Sequence, residues 1–212
     1  MLGDQKGWGV LAPLPKQRGV TLIELVIGIA IFAILLGIAM PNFSAFIANS
    51  NIRNAAEALQ NGVSLARVEA LRRNTLVNFS SGVDSSTDSS WVVGCTTATT
   101  DCPATIMKRV AAEGSTQAQV ATSEVVASSG AAATTAVFTN TLTFNGLGRV
   151  ITTTLAAADN AVFDISNSTG GGTCAAAGGK VRCLRVVVTP AGQIRMCDPA
   201  LTVSKPSDPQ AC

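Results

Sequence analysis

The chain has 212 residues, 47% of them apolar and only 13% charged, with a mean hydropathy of +0.37. Low charge with high hydrophobicity excludes a disordered tail protein, and a formal net charge of +2 does not by itself announce a nucleic-acid binder. The lack of His removes imidazole acid–base chemistry, Ser-His-Asp triads and every metal site built on imidazole. Along the chain, the first landmark is an apolar run. Leu25 to Met40 holds no charged residue, and Val20 extends the run backward across Thr21 and Glu24. At the rise of an α-helix, Val20–Met40 spans about 30 Å, the thickness of a bilayer core. Lys16 and Arg18 stand just before it and should stay cytoplasmic, sending the rest outward. The run is too long for a secretory signal core, and no small-x-small cleavage pattern follows. A carboxylate at Glu24, inside the membrane edge, costs about 2.5–3.5 kcal/mol and calls for a partner or a purpose.

Lys16-Gln17-Arg18-Gly19 followed by Val20-Thr21-Leu22-Ile23-Glu24-Leu25 resembles the processing site of type IV pilins and type II secretion pseudopilins. The resemblance implies that a prepilin peptidase removes the leader 1–19 by cutting after Gly19 and methylates the new N-terminus at Val20. Val20 departs from the Phe most common there in that family. Glu24 becomes the fifth mature residue, where the resemblance implies a charge pair with the N-terminal amine of a neighbouring subunit during filament assembly. It further implies a single-pass inner-membrane protein with its head in the periplasm. The implied partners are other pilin or pseudopilin subunits, the peptidase and an inner-membrane assembly platform.

Pro41 follows the run, so a kink is expected there. Residues 41–75 read as an amphipathic continuation of the helix. Ile52, Ala55, Ala56, Leu59, Val63, Ala66 and Ala70 recur at three- and four-residue spacing, the stripe of a helix that packs on a core. Arg72-Arg73 reads as a solvated helix end near the negative pole of the helix dipole. Ala66-Arg67-Val68-Glu69-Ala70 with Arg73-Asn74 resembles the FimT/FimU–GspH branch of pilins.

From residue 76 to 212 the composition turns to Thr, Ser, Ala, Val and Gly. Strands are predicted at 76–80, 90–94, 105–110, 120–127, 136–144, 149–153, 161–165, 181–188 and 193–196. The segments Asn145-Gly146-Leu147-Gly148 and Thr189-Pro190-Ala191-Gly192 read as hairpin turns. The expected fold is α+β: a long N-terminal helix, transmembrane over 20–40, packed on an antiparallel β-sheet head. The pilin resemblance agrees, with GspH-like segments at 142–146 and 184–195.

All six cysteines, Cys95, Cys102, Cys174, Cys183, Cys197 and Cys212, lie beyond the apolar run. An even count confined to the exported part argues for disulfides, with many connectivities open. Short loops favour Cys95–Cys102, Cys174–Cys183 and Cys197–Cys212; the last would tie the tail to the sheet, as terminal disulfides do in pilins. No C-x-x-C spacing is present, and neither a metal site nor a cofactor is expected.

No catalytic residues emerge. Asp84 with Asp88, and Asp159 with Asp164, read as turn and edge residues, and Gly170-Gly171-Gly172 has no helix start after it to cradle phosphate. Loss of Lys6, Lys16, Arg18 and Asp4 with the leader makes the mature chain neutral. Its C-terminal part still gathers Arg149, Lys180, Arg182, Arg185 and Arg195, the candidate DNA contacts. Relatives of the FimT kind bind DNA through a Gly-Arg-x-Arg motif in the C-terminal hairpin. Here the matching residues read Gly192-Gln193-Ile194-Arg195, with one Arg missing. Three roles therefore compete: pilus initiation or priming, type II secretion, and DNA uptake.

Overall fold

The computed structural model describes residues 19–113, 115–126, 140–151, 159–167 and 173–212; the side chains of 38–42 and 126 lie outside the description. Lys16, Arg18, the expected strand ends at 127, 136–139 and 152–153, and Gly170–Gly172 also lie outside it. The chain divides into two compact units, residues 1–40 and 41–212.

One helix, α1, runs Leu22–Arg73. Val20 precedes it, and apart from Glu24 its first part, Leu22 to Leu36, carries exposed apolar side chains on every side, from 81% exposed at Leu22 to 45% at Leu36. Among the described residues no helix is long and apolar enough to cross a membrane. The helix assignment continues through Pro41. Proline has no N–H to donate, so the helix loses one internal hydrogen bond there, and the kink remains an expectation.

In the second unit, the stripe from Ile52 to Ala70 is buried, each of its residues at 0 or 1% exposure, and Ala48 extends it by a turn. The helix stops in a Schellman motif. Asn74 takes a left-handed φ of 48°, the N–H of Thr75 reaches the carbonyl of Ala70 (3.3 Å), and that of Asn74 reaches Leu71 (3.4 Å). Asn tolerates that conformation better than other residues with a Cβ, because its short amide bonds locally.

Among the described residues the head holds two antiparallel four-stranded sheets. Strands β1 (Val77–Ser81), β2 (Trp91–Cys95), β3 (Met107–Arg109) and β5 (Thr141–Phe144) form the first, in the order β3-β2-β1-β5. Strands β4 (Ala118–Val126), β6 (Asp159–Asn167), β7 (Leu184–Val188) and β8 (Ile194–Cys197) form the second, in the order β4-β6-β7-β8. Alternation sets the faces: Val77, Phe79 and Ser81 of β1 point inward, the residues between them less so. Phe79 lies 6.0 Å from Trp91 and meets Phe163 of β6 edge-on at 5.8 Å, so both sheets and α1 share one core. Gly62 makes the approach of α1 feasible, because a Cβ there would stand 2.9 Å from the rings of Phe79 and Trp91.

Three expected strands are cut back, the one over 105–110 to Met107–Arg109. Over 149–151 only Val150 bridges, to Phe144, and its N–H goes to the carbonyl of Pro190 at 3.1 Å instead of extending a ladder. The expected strand 181–188 begins only at Leu184, because the N–H of Arg182 is taken by the side chain of Asn49 at 2.8 Å. A 3₁₀ turn at Ala175–Ala177 and a short helix α2 (Pro199–Ser204) complete the head. Disulfides join Cys95 to Cys102, Cys174 to Cys183 and Cys197 to Cys212.

Candidate filament-assembly site and the head cations

The start of α1 is built by local chemistry. Thr21 precedes the first helical residue; its hydroxyl accepts the N–H of Glu24 at 3.3 Å and its carbonyl accepts that of Leu25 at 3.1 Å. Thr21 is thus the N-cap, and Thr-x-x-Glu is the residue pattern of a capping box. Sequence reasoning took Thr21 as part of the processing motif and passed over its capping role, although that pattern was visible. Glu24 sits in the first turn, where a carboxylate favours the positive pole of the helix dipole, and its residue is exposed. Gly19 and Val20 are exposed beside it. The cap therefore displays Glu24 at the head of a sleeve of exposed apolar side chains.

The cations of the head are dispersed. Arg185 forms a two-pronged pair with Asp164, its register neighbour on β6, at 2.7 and 3.0 Å. Arg182 donates twice to Asp198 Oδ2, at 3.0 and 2.7 Å, and Asp198 is nearly fully buried. Arg195 donates to the carbonyl of Cys212 at 3.1 Å. Lys180 is exposed near the 174–183 disulfide, and Arg149 is exposed by the 145–148 turn. Arg182 thus lies at one end of β7 and Arg149 beside the turn at the other, so the five candidates do not converge on one groove.

Asp198 is a junction that the sequence did not announce. Its other oxygen caps α2 by accepting the N–H of Ala200 at 2.9 Å, with Pro199 at the first helical position. Its own N–H reaches the carbonyl of Gln210 at 2.8 Å, and it follows Cys197 directly. Asp-Pro is the sequence signal that would have revealed α2. A cleft of about 290 Å³ opens beside it, lined among others by Asn49, Arg53, Arg182 and Met196.

At the end of α1, Glu69 accepts hydrogen bonds from Arg72 (2.8 Å) and Arg73 (2.7 Å). Burial pushes its carboxyl up, but the two hydrogen bonds and the positive charges outweigh burial and hold its pKa below the ordinary carboxylate value.

Comparison with known proteins fits this layout. Residues 14–40 match the prokaryotic N-terminal methylation motif, and residues 55–192 match the family described as type II transport protein GspH. The pilin-like protein PilA1 of Thermus thermophilus is 41% identical over 63 residues, which cover 30% of this chain and 39% of that relative. The match therefore spans well under half of PilA1. Two crystal structures of the type IV minor pilin FimU from Pseudomonas aeruginosa PAO1 align at 16% and 19% identity, with TM-scores of 0.41 and 0.42. Each alignment covers 68% of this chain, and 90% or 87% of FimU. With a methylation motif that marks a membrane-anchored pilin and a GspH match over most of its length, the chain belongs to the GspH family and is a component of a pilus or pseudopilus.

Proposed function

We propose that this chain is a non-catalytic minor pilin that acts in the initiation or priming of type IV pilus assembly. It waits in the inner membrane with its head in the periplasm, is cut after Gly19 by prepilin peptidase, and enters the filament through α1. The observation that carries this reading is the helix itself. Its first part exposes apolar side chains all round, whereas its second part buries a single stripe in its own head. A helix apolar on every face needs apolar surroundings, first lipid and then the helices of neighbouring subunits. The exposed Glu24 then supplies the one charge that can answer a neighbour's N-terminal amine and set the register.

The test is surface pilus abundance, measured by shearing, in a deletion strain complemented with the wild-type or the Glu24→Ala gene. Wild-type complementation should restore pili and Glu24→Ala should not, with its head still folded. Unchanged pili in the deletion strain would refute the priming role. Lost protein secretion in that strain would then support a type II secretion pseudopilin, the reading favoured by the description of the matching family. DNA uptake draws less support, because Arg182 and Arg185 are already engaged by carboxylates.

A further inference from the structure

Most of the described arginines are paired with a carboxylate, which makes the exceptions informative. Arg53, Arg72, Arg73, Arg109, Arg182 and Arg185 each stand within 4 Å of a carboxylate. Arg195 donates to a backbone carbonyl. Among the described arginines that leaves Arg67 and Arg149, neither of which has an ion pair. Of the thirteen acidic residues only Asp4, in the leader, lies outside the described residues, so carboxylates that could pair with them are accounted for.

Both exceptions belong to one place. The turn 145–148 and the turn 189–192 meet over the last turns of α1, joined by the hydrogen bond from Val150 N–H to the Pro190 carbonyl. Gly148 and Gly192, at φ of 72° and 80°, press on Arg67: a Cβ on either would stand 3.1 or 3.2 Å from its Nε. That Nε is buried with no hydrogen-bond partner. The two turns thus cover the Nε edge and fix the guanidinium in place, and an incoming anion would meet the rest of this half-buried group. Arg149 follows Gly148 directly and is exposed.

Apolar side chains frame the cations. Leu147, at the tip of the turn, is 76% exposed; Leu71, 45% exposed, lies against Gly148. We propose that this junction of Arg67, Arg149, Leu71 and Leu147 is a docking site for a polypeptide that presents a carboxylate beside an apolar side chain. The leucines favour a peptide over nucleic acid, which would need a longer track of cations and aromatic faces for its bases. The exposed rings of the head's helix, Phe43 and Phe46, sit about 30 Å away along α1. The inference goes beyond the assembly role and does not depend on it.

The test uses the full chain in detergent micelles, titrated with a capped tetrapeptide alternating leucine and aspartate. The same peptide with asparagine for aspartate, and an oligothymidylate, serve as the comparison ligands, and binding is followed by NMR shifts. The acidic peptide should saturate, weaken with salt, and lose about tenfold in affinity in the Arg67→Gln, Arg149→Gln double variant. Equal binding of the asparagine peptide, no change in the double variant, or binding of oligothymidylate alone would overturn the proposal. Arg67→Met separates docking from a structural role, since it keeps the packed stem and removes the charge. Its melting temperature should equal or exceed the wild-type value; a drop of several degrees would assign Arg67 to the fold and overturn the site.

Discussion

Two stretches of the same helix carry apolar side chains to different ends. Leu22 to Leu36 shows them on every face to the surroundings, whereas Ile52 to Ala70 withdraws one stripe into a core and leaves Arg53, Glu57 and Val68 outside. The difference lies in periodicity rather than hydrophobicity. Apolar residues at three- and four-residue spacing choose a side and so specify a partner within the chain. An unbroken apolar run chooses none and so specifies an environment. The first stretch reads as a component of an assembly, the second as part of a fold.

Substitutions in the two stretches and their surroundings should separate them sharply. The largest effect should come from paired truncations. Phe79→Ala removes a ring shared by both sheets and should destabilise the head by about 3–5 kcal/mol in urea unfolding. Phe32→Ala, in the exposed run, should leave that unfolding midpoint within about 0.5 kcal/mol of wild type while reducing incorporation into pili. Comparable losses of head stability from both variants would break the distinction. The next effect concerns the tail: replacing Cys197 and Cys212 by Ser opens a loop with a sequence separation of 15 and should cost about 3 kcal/mol. Thermal unfolding of the purified double variant, without added reductant, measures this.

The smallest effect sharpens the boundary at the end of α1. Because the pKa of Glu69 is lowered in the folded state, its contribution is complete above the ordinary carboxylate value of 4.5 and is lost as pH falls through the lower folded value. Glu69→Gln should therefore flatten this part of the stability–pH curve below about pH 4.5 and change little of its slope near neutrality. A wild-type slope retained in Glu69→Gln would place the acid-sensitive group elsewhere.

Much of this architecture was legible in the residues. The helical stripe and the turns at 145–148 and 189–192 follow from spacing, which acts within a few residues; for the cysteines, short loops favoured the sequential pairing but left other connectivities open. What escaped was set by distant partners. Nothing near Arg185 reveals that Asp164 will lie across from it, because the register of β6 against β7 makes that pair. The division of the strands between two sheets likewise depends on Phe79 and Phe163 finding each other from opposite halves of the head. Thr21 and Asp198 were different, since their capping patterns were local and were passed over. At the candidate assembly site, Glu24 stood out because a charge interrupts an apolar run; Arg67 did not, because an arginine on a helix is ordinary until its neighbours are known.

Asp198 has a consequence for how the head comes apart. A segment held at a single point can open without disturbing the rest. Here Cys212 is bonded to Cys197, the N–H of Asp198 holds Gln210, and its carboxylate holds Arg182, whose own N–H holds Asn49 of α1. To open, the segment 198–212 must break a covalent bond and unseat the buried Asp198 from an arginine tied to the helix. Local opening of this segment is thereby coupled to opening of the head as a whole.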